Sequence, residues 1–335
     1  GVRRFDLSSD AINNPDRYIK PLDIVKVKKR SWGTNYNHVS VYLGNDEVCH
    51  VWDPDSKSNN KIAIVTGGNA GIGYITCREM ARQNAYVFLL GRNMEKGQAA
   101  VEKIKSETGN QNVEFLHLNL KGLKSVKECA ETFLARNLPL HILINNAGIT
   151  TNTFSLTEDG IQEEFGVNHV GHFLLTKLLL PKIKASQPAR IVNVSSRAHK
   201  IVEGVIEFEK LNDPNAQEPP QRYELSKLAN VLFTDELNKR YLEGEQIYAN
   251  SLHPGLAYTN MIKRNDFFLS ETYISTSISS EDGAITTLYC ATSPEIEEKI
   301  IVEEGEKSSY CDDDDLAKRL WEFTENLINE KLSQK

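Results

Sequence analysis

The chain has no C-x-x-C pair, no apolar run of membrane-spanning length and no surplus of basic residues. Its five cysteines, at 49, 77, 129, 290 and 311, are odd in number and scattered, which fits reduced thiols in a cytosolic-type compartment better than a disulfide framework. A membrane helix needs roughly 18 consecutive apolar residues. The stretch FLLTKLLLPKI (173–183) is interrupted by Lys177 and Lys182. With 39 Lys and Arg against 46 Asp and Glu, the formal charge of −7 leaves no basic surplus to neutralise a phosphate backbone and argues against a nucleic-acid partner. The short basic run KVKKR (26–30) reads as a solvated face. The opening GVRRFDLSSD carries no signal-peptide apolar core, and no internal repeat is visible. These absences predict a soluble, cytoplasmic protein, with peripheral membrane association left open.

What is present is the balance of a globular protein: 335 residues, 40% hydrophobic and 25% charged, enough for one large domain or two ordinary ones. The character changes near residue 57. Before it lies a short aromatic, strand-like segment closed by the turn-rich DPDSKSNN (53–60). After it comes KIAIVTGGNAGIG, a β-branched run ending in glycines, then apolar residues at helical spacing from Ile72 to Ala81. Further apolar runs follow at 85–91, 113–118, 140–145, 189–196 and 247–253, each separated by a stretch long enough for a helix. Strands alternating with helices predict a doubly wound α/β domain with a parallel sheet from about residue 60 to the end.

The turn TGGNAGIG (66–73) follows the first of these strands and opens the first helix. There the backbone can approach a pyrophosphate, which rests on the positive end of the helix. Gly67, Gly71 and Gly73 are the glycines whose missing side chains make room, with Asn69 and Ile72 beside them. No Gly-Lys-Ser/Thr follows, so a nucleoside-triphosphate P-loop is excluded. At the end of the second strand an acidic residue would hold a ribose 2′-hydroxyl. The sequence there is LLGRN, neutral Gly91 then basic Arg92, which favours the 2′-phosphate of NADP over NAD; the alternative is that Arg92 is a surface cation.

Among the 12 tyrosines, Tyr223 is followed four residues later by Lys227, in YELSK. On a helix the two share a face. A free phenol titrates near pH 10, about three units too high for neutral proton transfer. A neighbouring ammonium brings it towards an acid–base range.

TGGNAGIG, NNAG (145–148), NHVGHF (168–173), RIVNVSS (190–196), YELSKLAN (223–230) and HPG (253–255) stand in the order and spacing of the short-chain dehydrogenase/reductases, which the chain resembles from about residue 60 to 335. Within that family SKLANVLF, HPGLAYTNM, ITTLYCATSPEIE and LWEFTENLINEKL look most like the retinol dehydrogenase and WW-domain-containing oxidoreductase branch. The resemblance implies a Rossmann fold and a tetrad. Tyr223 would be the general acid in reduction, and Lys227 would lower its pKa and bind the nicotinamide ribose. Ser196 would stabilise the developing alkoxide, and Asn168 would hold a relay water. Ser195 stays open as the alternative to Ser196, since strand alternation lets only one of the pair face the site. Asn145, Ala147 and Gly148 would line the cofactor cleft, Asn145 also bracing the sheet. Pro254, Gly255 and Thr259 would sit by the carboxamide. At Asn119, followed by Leu120, the family usually has an Asp that contacts the adenine amino group; the amide predicts weaker selectivity for adenine without loss of binding. The resemblance implies a small lipophilic carbonyl or alcohol as substrate, and leaves room for a homodimer.

The segment from Tyr258 to Ser280, with Phe267, Phe268, Leu269, Tyr273 and Ile274, reads either as an apolar lid for such a substrate or as aromatics packing on the domain. CDDDD (311–315) reads as charge complementing the dipole of the last helix. No metal site is expected. Residues 1–57 resemble the start of lecithin:retinol acyltransferase-like proteins, in PLDIVKVKKRSWGTNYNHVSVYLGNDEVCHVWDP. There His38 would activate a cysteine and His50 would orient His38, but the Asn-Cys-Glu-His-Phe motif that carries the nucleophile is missing. This segment therefore reads as a truncated, β-rich, non-catalytic and poorly packed appendage. Two rival readings of the whole chain are a catalytically silent binding or scaffold protein and, more remotely, a thiol acyltransferase centred on His38.

Overall fold

The computed structural model describes residues 60–202, 206–257, 259, 261, 277–293 and 309–334, together with the backbone of three earlier strands. Those strands are β1 (Ile24–Val27), β2 (His38–Gly44) and β3 (Glu47–His50), paired antiparallel in the order β1-β2-β3. The side chains of His38, Cys49 and His50 lie outside the described residues, as do Phe267, Phe268, Leu269, Tyr273 and Ile274, the apolar residues of the Tyr258–Ser280 lid expectation.

The rest is one six-stranded sheet. Its strands are β4 (Ile62–Thr66), β5 (Tyr86–Gly91), β6 (Val113–His117), β7 (Ile142–Asn145), β8 (Ala189–Val194) and β9 (Ile247–Leu252). They lie in the order β6-β5-β4-β7-β8-β9 and every pairing is parallel. This is the doubly wound arrangement expected from the alternating runs, and the order reverses between β4 and β7. Alternation of side chains along each strand divides the core in two. Ile62 and Ile64 join Phe88, Leu90, Leu143 and Ile191 on one face, while Ala63 and Val65 join Val87, Leu89, Ile144 and Val192 on the other. Because both faces are covered, the strands read as unbroken apolar runs.

On the first face lie α3 (Leu123–Leu134), α4 (Gly171–Lys184), α5 (Pro219–Leu237) and α7 (Asp314–Ser333); on the second lie α1 (Gly71–Arg82), α2 (Met94–Thr108) and α6 (Ser280–Thr292). Helix α5 starts at a reciprocal cap between Glu218 and Gln221, with Pro219 and Pro220 preset for the first turn. Every residue from Arg222 to Leu237 is buried. The helix is enclosed because α7 packs on its outer side: Trp321 stacks on Phe233 at 5.7 Å between centroids and meets Phe173 edge-on at 4.6 Å. Asp313 caps α7 by accepting from the Leu316 N–H at 2.9 Å, with Asp314 and Asp315 in its first turn, the charge arrangement that CDDDD suggested.

One feature was not legible beforehand. Entering α4, the chain forms a one-turn helix (Glu163–Phe165) and then a π turn (Gly166–Val170), so that Asn168 lies on a widened coil.

Candidate active site

The C-terminal ends of the sheet strands open on a cleft of about 310 Å³, centred where the strand order reverses. Its floor is the turn after β4. Helix α1 has Ala70 at its N-cap, which offers no side-chain cap, and no acid in its first turn, so its leading N–H groups remain available to an anion. The turn closes on itself. A Cβ on Gly73 would lie 2.4 Å from the Gly67 carbonyl oxygen and 2.5 Å from Asn146 Nδ2, and Gly67 sits at φ +67° with Ala147 Cα only 3.0 Å from where its Cβ would be. Asn69, Gly71 and Ile72 complete this wall.

The opposite wall is the loop after β7. Asn146 and Ala147 both donate their N–H groups to Thr66 Oγ1, at 2.9 Å each, and Asn146 Nδ2 donates to the Thr66 carbonyl at 2.8 Å. Asn145 behaves differently from its expected cleft position. It still belongs to β7, and its amide points into the sheet, donating to Thr176 Oγ1 at 3.0 Å and Asn193 Oδ1 at 2.8 Å. It braces the sheet, and the cleft wall belongs to Asn146, the first residue past the strand.

Leu118, Asn119, Leu120 and Lys121 form the far end, with Leu90, Gly91 and Arg92. The Asn119 amide is oriented: Nδ2 donates to the Glu158 carboxylate at 2.8 Å and Oδ1 accepts from the Lys121 N–H at 3.2 Å. One lone pair of Oδ1 stays open to a further donor. Lys121 pairs with Glu163, whose carboxylate also accepts from Ser155; these contacts outweigh burial and hold Glu163 below the usual carboxylate range, with Arg92 adding its field.

Helix α5 supplies Tyr223 and Lys227, both lining the cleft and both buried. Lys227 Nζ lies 5.6 Å from the centroid of the Tyr223 ring and donates to the Val194 carbonyl at 3.0 Å. Burial alone pushes this ammonium down to about 8. Gly148 lies beneath it; a Cβ there would meet Nζ at 3.4 Å and Asn168 Oδ1 at 3.5 Å. Asn168 clamps the backbone of Ile149, accepting its N–H at 2.8 Å and donating to its carbonyl at 2.9 Å, and also donates to Ser226 Oγ at 2.9 Å.

The two serines after β8 are differently employed. Ser195 is buried on the cleft wall and donates its hydroxyl to the Lys227 carbonyl at 2.7 Å. Ser196 is half-buried and caps the 3-10 turn Arg197–Ile201, accepting from the Ala198 N–H at 3.2 Å. Pro254 and Thr259 reach the cleft. Gly255 lies beside them at φ +82°, and a Cβ there would lie 2.5 Å from Ile278 Cδ1.

The short chain dehydrogenase family model matches residues 61–209. Human retinol dehydrogenase 11 is 39% identical over 282 residues, covering 80% of this chain and 86% of that protein. The chain belongs to the short chain dehydrogenases. The WW domain-containing oxidoreductase of Gallus gallus is 38% identical over 319 residues, covering 88% of this chain and 74% of that protein. The resemblance to that branch and to the retinol dehydrogenases therefore holds across most of the sequence. The crystal structure of an Escherichia coli CFT073 short chain dehydrogenase complexed with NADPH superposes with a TM-score of 0.58 at 25% identity, covering 72% of this chain and 93% of that one. As a short chain dehydrogenase the chain is an oxidoreductase with a small-molecule substrate. No described helix is long and apolar enough to cross a membrane.

Within this short chain dehydrogenase, sequence reasoning passed over Asn146 and Lys121, which line the cleft, and Thr66, which holds its Asn146–Ala147 wall from behind, whereas Ser195, its alternative to Ser196, does line the cleft. Lys121 alone left a signal, a second cation near the strand ends beside Arg92; Thr66 and Asn146 depend on which way a side chain turns at the end of a strand.

Proposed function

We propose that residues 60–335 form an NADP(H)-dependent dehydrogenase/reductase of lipophilic carbonyl and alcohol groups, and that residues 1–57 are a non-catalytic segment. The carrying observation is the convergence of Tyr223, Lys227 and Gly148 on one cleft whose floor is an uncapped helix N-terminus. The floor fits a pyrophosphate, since its N–H groups are unclaimed by side chains and Gly73 leaves no room for a Cβ. Arg92 and Lys121, with Gly91 in place of an acid, fit a 2′-phosphate. The NADPH-bound E. coli relative supports the same cofactor.

When bound, the nicotinamide donates or accepts the hydride. Tyr223 gives its phenolic proton to the substrate oxygen in reduction and takes it back in oxidation. Lys227, a buried cation, favours the phenolate that Tyr223 becomes and holds the ribose. Ser196 is the hydroxyl that engages the substrate oxygen, because the Ser195 proton is already directed at the Lys227 carbonyl. Asn168 holds the water that returns protons to Tyr223 and Lys227. Pro254, Gly255 and Thr259 flank the carboxamide. Asn119 accepts the adenine amino group with the free lone pair of Oδ1, and Leu120 packs beside it.

Retinal, a steroid ketone and octanal, each assayed with NADPH and NADH by loss of nicotinamide absorbance, test the reading. Turnover with NADPH at a lower KM than NADH supports it; absence of turnover with all three, or equal use of both cofactors, contradicts it. Arg92→Ala should raise the NADPH dissociation constant about tenfold, the effect of one lost charged hydrogen bond, and leave NADH unchanged. Gly73→Ala should weaken both cofactors alike, because its Cβ pushes the Gly67 carbonyl and Asn146 apart, and should lower Tm through about 1–3 kcal/mol of overpacking. Fluorescence titration and thermal melts read both effects.

A further inference from the structure

His172 is fully enclosed, 2% exposed, one turn after Asn168. Its two ring nitrogens reach the two walls of the cleft. Nδ1 lies 3.0 Å from the backbone carbonyl oxygen of Asn168 on the π turn, and Nε2 lies 2.8 Å from Thr66 Oγ1 at the end of β4. The proton positions follow from the partners. The Asn168 carbonyl can only accept, so Nδ1 carries the hydrogen. Thr66 Oγ1 already accepts the N–H groups of Asn146 and Ala147, which occupy both of its lone pairs. Its own proton has two acceptors in reach, the Ile144 carbonyl at 3.5 Å and Nε2 at 2.8 Å; the shorter contact directs it to Nε2, which must then be unprotonated. Both constraints select the same neutral tautomer. Burial, with the nearby Lys227 charge, holds the ring neutral by lowering its pKa to about 4, despite the opposing bond to Asn168.

We infer that His172 is a positioning residue that locks the Asn168 turn to the Asn146–Ala147 wall through one directed chain of hydrogen bonds. The chain runs from the N–H groups of Asn146 and Ala147 to the Thr66 hydroxyl, on to the ring, and from the ring to the Asn168 carbonyl. At one end lies the amide beside Lys227; at the other lies the wall that pinches Gly67 and Gly73. One ring thus sets the distance between the proposed proton-transfer side and the cofactor side. The inference rests on the proposed function, since positioning has meaning only for a cleft that performs the reduction.

Two substitutions divide the ring into its halves. His172→Asn places an amide N–H where Nδ1 stood and keeps the bond to Asn168 while losing Thr66. His172→Gln places an amide oxygen near the Nε2 position and keeps Thr66 while losing Asn168. NADPH dissociation constants by fluorescence, kcat with octanal per bound NADPH, and Tm are measured for both variants and the wild type. The expected result is a crossed pattern. His172→Asn keeps kcat within about threefold and binds NADPH roughly tenfold more weakly; His172→Gln keeps NADPH affinity and loses kcat by about 10- to 100-fold, as expected for a displaced catalytic amide. A merely structural histidine would lower Tm in both variants and leave kcat per bound NADPH and affinity unchanged, and that outcome, or equal losses in both, overturns the inference. A wild type that binds no NADPH and reduces no aldehyde overturns the proposed function, and this inference with it.

Discussion

Tyr223→Phe should lower kcat for aldehyde reduction by about 10²- to 10⁴-fold, the contribution of a positioned general acid, while NADPH affinity changes less than about threefold. The two effects separate because the ring and the hydroxyl have different tasks. The ring is 8% exposed and packs within α5, so Phe retains the burial. The hydroxyl alone carries the exchangeable proton. Lys227, which lies 5.6 Å from the ring centroid, is anchored independently through the Val194 carbonyl and stays in place. The wild-type pH profile carries a second mark of the same pair. The Lys227 pKa is lowered to about 8, so the ammonium is charged below that value and is lost as pH rises through it. Reduction by the free enzyme should therefore fall above about pH 8. Unchanged turnover in Tyr223→Phe would remove the phenol from the mechanism; a kcat/KM for reduction that still climbs beyond pH 9 would remove the ammonium.

The second large effect is on stability in acid. His169 and His172 are both enclosed and neutral, and burial lowers their pKa values to about 3 and about 4. In the unfolded chain each titrates at its ordinary value of 6.5. The sign follows from linkage: between these limits the unfolded state binds more protons, so stability is full above pH 6.5 and declines as pH falls. Two groups together give a slope of up to about 2.7 kcal/mol per pH unit near pH 5. Against a total of about 5–15 kcal/mol, two pH units are decisive. Urea unfolding at pH 7 and pH 5 should show this loss. His169 sits among Phe165, Phe173 and Phe233 and reaches Thr324 Oγ1 at 3.0 Å. His169→Phe, which fits that aromatic surround, should reduce the slope by about half. A slope unaltered by that change would show that the protons are taken up elsewhere.

The fold was legible because its signals are local. Six apolar runs with intervening helical stretches predicted the parallel strands, and the runs extend at most a residue or two beyond them: 113–118 became Val113–His117 and 247–253 became Ile247–Leu252. The glycine turn was legible because a strand precedes it and a helix follows. The Tyr223–Lys227 pairing followed from helical geometry, and both side chains do line one cleft. Strand ends were harder. Periodicity states that neighbours alternate but not where the strand stops, and stopping at Asn145 turned that side chain into the sheet and Asn146 into the cleft. The same ambiguity stood between Ser195 and Ser196.

By itself the sequence determined the doubly wound order of elements, the anion-ready turn and the phenol–ammonium pair, because each is fixed by residues within a few positions of one another. Only the tertiary structure decided the π turn under Asn168, the Glu158 carboxylate that orients Asn119 across 39 residues, and the His172 ring that joins Thr66 across 106. Those contacts form between segments that meet only once the sheet is assembled, and no spacing along the chain encodes the direction in which a buried side chain then finds its partner.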